Sequence, residues 1–252
     1  MPGVEARRRF FNWYHRIQRH LVPGLRYAQE LFEDELATAV APGCVWLDVG
    51  CGHQLLPSWR LDQEQALVAR AAVVVGIDLD FSALREHRTL TAVSMASATQ
   101  LPFADETFDL VTANMVVEHL DDPVTQFKEI RRVLKPGGSF LFHTPNVFGY
   151  TTLAARAIPE AWKGRIICFV EGRAEKDVFP AHYRANSRKR IVSVAQEAGL
   201  DVLKIRLVAS AAQLAVIPPL VVFELLWIRM LLKHPLRHLR TNIIACLKRS
   251  PS

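Results

Sequence analysis

The chain has 252 residues, half of them hydrophobic and 22% charged, which excludes a disordered polymer and suits one α/β domain, alone or with an added subdomain. Its four cysteines (Cys44, Cys51, Cys168 and Cys246) form no CxxC pair, so neither a disulfide scaffold nor a zinc module is expected and a reducing cytoplasm fits. The net charge of +6 sits at the two ends: residues 1–20 carry +4, residues 229–252 carry +6 and the stretch between them −4. That distribution argues against a nucleic-acid-sized basic face.

The opening RRRFFNWYHRIQRH begins like a twin-arginine signal, but His15, Arg16, Arg19 and His20 interrupt any apolar run, so export is not expected. Read as a helix, Phe10, Trp13, Tyr14, Ile17 and Leu21 form one stripe, with Arg8, His15, Arg16 and Arg19 opposite. Two readings stand for it: a helix packed on the domain as a lid, or an interfacial helix on anionic lipid. A first strand, Cys44–Val49, ends in VGCGH, and a helical stretch follows to about Ala69. The second strand is Ala72–Ile77, after which Ser82 is the expected N-cap of a helix running to about Leu90. Thr91–Met95 reads as an edge strand and Phe108–Ala113 as the fourth. A helix over Pro123–Leu134 is closed by Lys135-Pro136-Gly137-Gly138, and Ser139–His143 is the fifth strand. Residues 144–186, with Pro145, Pro159 and Pro180, read as an insertion over the site. A helix over Ser187–Ala198 ends at Gly199, and Asp201–Val208 is strand-like.

From Leu207 to Phe223 seventeen residues carry no charge. A spanning helix needs about 20 apolar residues, and here Pro218-Pro219 interrupt the run while Glu224 and Arg229 would enter the bilayer. A hydrophobic hairpin or helix pair against the domain is therefore expected, dipping into the interface at most, and TNIIACLKR rejoins the sheet. His234 and His238 lie four residues apart in a basic stretch with no carboxylate nearby, so a surface or interfacial role is read for them and no metal is expected.

The chemistry concentrates at three places. In VWLDVGCGH a strand ends at Asp48, and Gly50 and Gly52 flank Cys51. Such glycines allow a tight turn and let a ligand approach the backbone, while the helix that follows offers free N–H groups. One βαβ unit later Asp78 ends VVVGID, where an acid accepts the hydroxyls of a ribose; Asp80 is the alternative for that role. The third is SATQLPFADETFDLVTANMVVEHL. A dinucleotide-binding reading fails, because the third position of its glycine fingerprint is Leu55.

Across these segments and EIRRVLKPGG, from about Val45 to His143 and more loosely to Arg249, the chain resembles class I S-adenosylmethionine (SAM)-dependent methyltransferases, of the broad group that includes the ubiquinone and menaquinone methyltransferases. The resemblance implies an α/β fold: a doubly wound, Rossmann-like, seven-stranded sheet with an antiparallel last strand, residues 201–208 and 241–248 supplying the final hairpin. It implies a helical lid over residues 1–40 and a SAM-binding domain over 41–252, with insertions at about 147–186 and 209–238. For the cofactor it implies that Asp48, Gly50, Cys51 and Gly52 wrap the methionine part and that Asp78, with Leu79 beside it, holds the ribose. Ser97 and Ala98 then meet the adenine, and Asn114 and Met115 line the site beside the methyl group. Family members usually carry an acid where Ser97 stands; a hydroxyl there still accepts from the adenine amine.

Candidates for a general base are His119, His143, His182 and Tyr183, the first of which has the alternative of capping the next helix. His53 lies where it would touch the cofactor carboxylate. The acceptor implied is a small molecule, hydrophobic or lipid-linked, with peripheral contact to an anionic membrane. The alternatives are a soluble methyltransferase of a polar metabolite or protein, and a SAM-binding protein without transferase activity. Nucleic acid is not an expected partner, because NMVVEH replaces the Asn/Asp-Pro-Pro-Tyr/Phe of base-modifying enzymes.

Overall fold

A computed structural model describes residues 2–157, 180–212 and 218–251. Those residues gather into two compact units. One takes in the described parts of Leu31–Val147, Phe179–Arg206 and Ile243–Ser252, and the other those of Met1–Glu30, Phe148–Val178 and Leu207–Asn242.

The larger unit is built on the sheet. In chain order its elements are α2 (Ala28–Ala39), β1 (Val45–Val49), α3 (Leu61–Arg70), β2 (Val73–Asp78), α4 (Phe81–Arg85), β3 (Ala92–Met95) and β4 (Phe108–Asn114). They continue with α5 (Pro123–Val133), β5 (Leu134–Pro145), α7 (Arg188–Ala198), β6 (Asp201–Val208) and β7 (Asn242–Lys248). The strands lie in the order β3-β2-β1-β4-β5-β7-β6, with β1 to β5 parallel and the last strands antiparallel. Parallel strands covered on both faces must be apolar throughout, and Trp46, Leu47, Leu110, Val111, Phe140 and Phe142 are all buried. Phe127 of α5 meets Phe140 edge to face at 5.2 Å, a geometry that adds to simple burial. Register carries function here. Asp48 lies beside Gly76 and Thr112, Asp78 beside Met95, and Asn114 beside His143, so the chemistry-bearing residues line up along the carboxyl edge of the sheet, where such folds take ligands.

Helix ends follow local chemistry. Asp122 caps α5 through the Thr125 N–H (3.3 Å), with Pro123 in the first turn. Ser187 caps α7, which Gly199 closes in the left-handed conformation. Three expectations need correction. The cap of α4 is Asp80 and not Ser82: its carboxylate accepts the N–H groups of Ser82 (2.8 Å) and Ala83 (3.2 Å). That helix stops at Arg85 and not near Leu90, because the His87 ring accepts the N–H groups of Thr89 (3.3 Å) and Leu90 (3.1 Å) and turns the chain away. Lys135–Gly138, expected as a helix stop, belongs to β5. Phe108 pairs with Leu134 and Leu110 with Ser139, so the stretch bulges, with Gly137 at φ +78°, and Gly137 and Gly138 exchange backbone hydrogen bonds with Arg249 (both 2.9 Å).

The second unit holds α1 (Pro2–Leu21), α6 (Tyr150–Ala157) and α8 (Pro218–Leu231). Pro218-Pro219 open α8 rather than break it, since the first turn needs no intrahelical N–H bond. The aromatic stripe of α1 is not available to lipid. Phe10, Trp13, Ile17 and Leu21 pack with buried Tyr14 on Val221, Leu225 and Ile228 of α8. Tyr150 donates to buried Glu224 (2.7 Å), joining α6 to α8. No described helix is long and apolar enough to cross a membrane. Part of the expected 147–186 insertion (158–179) and of the 209–238 insertion (213–217) lies outside the described residues.

Candidate cofactor and active site

The site begins where β1 runs out. The N–H groups of Gly50 and Cys51 both donate to the Ile77 carbonyl (2.7 and 3.0 Å), carrying the ladder into the loop. Gly50 and Gly52 hold φ of +73° and +53°, a conformation that side chains resist. A methyl group at Gly50 would run into Cγ2 of Val116, whereas one at Gly52 would project into open space. The first glycine thus serves packing, and the second leaves a cradle beside the backbone.

Asp48 is buried at the mouth of this loop. The Trp46 indole donates to the Thr112 hydroxyl (2.6 Å), which in turn donates to Asp48. Burial pushes the Asp48 carboxyl up to about 7, against the Thr112 hydrogen bond and with help from the charges of Asp78 and Glu64. Asp78, at the end of β2, accepts the N–H of Gly52 (2.8 Å) on one oxygen and that of Asp80 (2.9 Å) on the other. Each oxygen keeps a lone pair for a further donor. Leu79 and Met115 expose apolar side chains near the two strand ends. An acid that a nearby cation would ionise, a second acid with spare lone pairs and an open glycine cradle fit SAM, which carries a sulfonium and an ammonium group.

Just past β3, Ser97 folds into a local turn. Its hydroxyl meets that of Thr99 (2.8 Å) and accepts the Thr99 N–H (3.3 Å). The Ala96 N–H donates to the Asp78 carbonyl (3.2 Å), holding the turn, with half-buried Ala98, close to that acid. Asp80 faces α4 as its cap, and exposed His53 accepts the Arg88 N–H through its carbonyl (3.2 Å).

The four base candidates divide into two places. His143 is buried, stacked on Phe32 (5.7 Å between ring centres) and hydrogen-bonded through Nδ1 to the Asn114 amide oxygen (2.9 Å). The Met115 N–H donates to the His143 carbonyl (2.8 Å), which holds Met115 at φ +58°. Burial lowers the imidazole to about 4, so at neutral pH it is uncharged and orients Asn114 and Met115. Its linkage has a definite sign. The unfolded imidazole takes up a proton that the folded one refuses, so stability is lost as pH falls from about 6.5 toward 4, by about 3 kcal/mol in all. The His143 ring resonances are expected to stay those of a neutral imidazole down to pH 5, and titration near 6.5 would refute this placement.

His119, His182 and Tyr183 come together on Glu118. The carbonyl of Glu118 accepts the N–H groups of His182 (2.7 Å) and Tyr183 (3.1 Å). The His119 Nδ1 lies 2.9 Å from the Pro180 carbonyl, and its Nε2 lies 4.0 Å from the Glu118 carboxylate. Sequence reasoning missed the support for this cluster. Glu118 is buried, which raises its carboxyl, and it accepts the Thr144 hydroxyl (2.9 Å). The Asn186 amide donates to Thr144 (2.6 Å) and to the Pro145 carbonyl (3.0 Å). The only written signal was an acid inside the apolar run VVEHL. Among the described residues no group of three or more His, Cys, Asp or Glu is arranged to hold a metal.

A family model described as "Methyltransferase domain" matches residues 47–142, the stretch that carries the glycine loop, both acids, and Glu118 with His119. These residues form a class I SAM-dependent methyltransferase domain. The ubiquinone biosynthesis O-methyltransferase of Pseudomonas syringae pv. tomato is 34% identical over 113 residues, 40% of this chain and 44% of that one. The chain thus matches less than half the length of this relative. Among solved structures, a SAM-dependent methyltransferase from Mesorhizobium loti aligns with TM-score 0.56 at 16% identity, covering 88% of this chain and 98% of that one. The geranyl diphosphate C-methyltransferase of Streptomyces coelicolor, solved with Mg2+, geranyl diphosphate and S-adenosyl-L-homocysteine, aligns with TM-score 0.53 at 14% identity, covering 87% and 79%. At these identities the structures bear on the fold, and that fold is the methyltransferase domain's sheet.

Proposed function

We propose that this protein transfers the methyl group of SAM to a small hydrophobic or lipid-linked acceptor. The observation that carries the cofactor half is the buried Asp48 beside the open Gly52 cradle, inside a methyltransferase domain. The acceptor half is supported by the matched quinone-biosynthesis relatives and by the apolar second unit.

When bound, SAM supplies an electrophilic methyl on sulfur, and the protein's task is to hold nucleophile and methyl in line and to take the nucleophile's proton. Asp48, Gly50, Cys51 and Gly52 grip the methionine end, Asp78 and Leu79 the ribose, Ser97 and Ala98 the adenine, while Asn114 and Met115 flank the methyl. The proton acceptor in this reading is His119. A carbonyl only accepts, so the bond to Pro180 puts the hydrogen on Nδ1 and the lone pair on Nε2. Glu118, 4.0 Å from Nε2, is the counter-charge for the imidazolium that forms. His182 and Tyr183 border the same place and contact the acceptor. A protein that binds SAM without transferring its methyl is the second reading, favoured by the burial of His143.

Purified protein incubated with methyl-labelled SAM and a lysate of its source, then partitioned between solvents, is expected to place label in the organic phase. Label in the aqueous phase would point to a polar metabolite or a protein. No label above an Asp48→Ala control would leave the binding protein.

A further inference from the structure

The second unit presents an apolar face that carries none of the site residues named above. At 3.6 residues per turn, Leu220, Phe223, Leu226 and Met230 fall within about a third of the circumference of α8. This sector lies away from Val221, Leu225 and Ile228, which pack on α1. All four are exposed, Phe223 at 71%. One exposed apolar residue is ordinary, but four on one helix face mark a surface with an occupant.

The charges around the face indicate which occupant. Arg229, Lys233 and Arg237 are exposed at and beyond its carboxyl end, and no acid follows Glu224, itself buried, up to the end of the chain. A self-associating face would bring these cations against one another, whereas a bilayer rich in anionic headgroups neutralises them. With 14 residues α8 spans about 21 Å, too short to cross a hydrocarbon core of about 30 Å but suited to lying in the interface. We propose that the exposed Leu220–Phe223–Leu226–Met230 face of α8, with its basic carboxyl end, docks the protein on an anionic phospholipid bilayer. The sequence offered the opening helix and the apolar C-terminal segment with its basic tail for such a role; with the α1 stripe packed on α8, the exposed face of α8 is the one left to fill it. The inference deepens the hydrophobic-acceptor reading, since a bilayer is where such an acceptor resides, but the surface stands on its own observations.

The test is sedimentation of the full chain with vesicles of phosphatidylcholine containing about one third phosphatidylglycerol, against phosphatidylcholine alone. Binding is expected to the anionic vesicles and to weaken with salt. Phe223→Ser with Met230→Ser should lower the partition more than about tenfold, and Lys233→Glu about fivefold or more. Binding of S-adenosylhomocysteine should be unchanged in all variants, which shows that they are folded. Equal binding by the native and double-serine proteins, or no vesicle binding at all, overturns the proposal. So does a native dimer that Phe223→Ser dissociates and vesicles do not compete away, which would assign the face to a second copy. If vesicle binding fails while label still enters the organic phase, the methyltransferase reading survives and only the docking surface falls.

Discussion

Asp48→Asn is expected to make the protein more stable at pH 8 and to weaken SAM binding by about a hundredfold or more. The folded carboxyl lies at about 7 against an ordinary value of 3.8, chiefly because burial disfavours its charge. Below both values the folded and unfolded chains carry the proton equally. Between them the folded chain alone carries it, so stability falls as pH rises from about 4 to 7, and above 7 the whole penalty, about 4 kcal/mol, is present. Asparagine keeps the shape and drops the charge, so its melting temperature should exceed the native one by a margin that widens from pH 4 to 7 and then stays constant. A margin independent of pH would show that Asp48 is not the strained charge described here.

The same substitution removes the reason for tolerating that penalty. A cationic ligand beside Asp48 recovers it by ionising the carboxylate, so SAM affinity in the native protein should fall about tenfold per pH unit below 7. In Asp48→Asn it should be lower by about a hundredfold or more and nearly independent of pH. Calorimetric titration at pH 6 and 8 separates the two. Because a neighbouring Asp78 adds to the strain, the site concentrates negative charge before its ligand arrives, as a binder of a cation should.

How much of this was legible follows from how local each cause is. The parallel strands were readable because each is a short apolar run bounded by turn residues, and Asp48 and Asp78 because a polar residue at a strand end is conspicuous. The cap of α4 was placed at Ser82, two residues after Asp80, because serine and aspartate cap equally well and only the geometry shows which oxygen meets the free N–H groups. The bulge at Lys135–Gly138 was hidden for a related reason. Pro136-Gly137-Gly138 ends helices and bends strands alike, and its bonds to Arg249, over a hundred residues away, decide between them. In the Trp46–Thr112–Asp48 chain and the Glu118–Thr144–Asn186 network the acids stand out in the sequence, but their partners do not. Each network joins side chains from different elements, and Trp46, Thr112, Thr144 and Asn186, one by one, look like ordinary interior or loop residues. The apolar stripe of α1 was visible, but not its partner: an amphipathic helix states that a face must be covered, not by what.

The two glycines of the loop should separate folding from binding. Gly50→Ala meets two costs, a left-handed backbone at φ +73° and overlap with Val116. Together these amount to about 3 kcal/mol, from roughly 1–2 for the backbone and a similar overpacking cost. Its melting temperature should drop clearly, and Val116→Ala in the same chain should restore the packing part but not the backbone part. Gly52→Ala carries only the backbone cost, because nothing lies within 4 Å of the added methyl, and should lose about 1 kcal/mol. That methyl nonetheless enters the cradle beside the Gly52 N–H, which Asp78 already holds at 2.8 Å. Gly52→Ala is therefore expected to lower affinity for S-adenosylhomocysteine more than tenfold while melting close to the native protein. If instead it binds the cofactor product normally, the open side of the loop is not where the methionine end lies, and the assignment of the glycine loop fails with it.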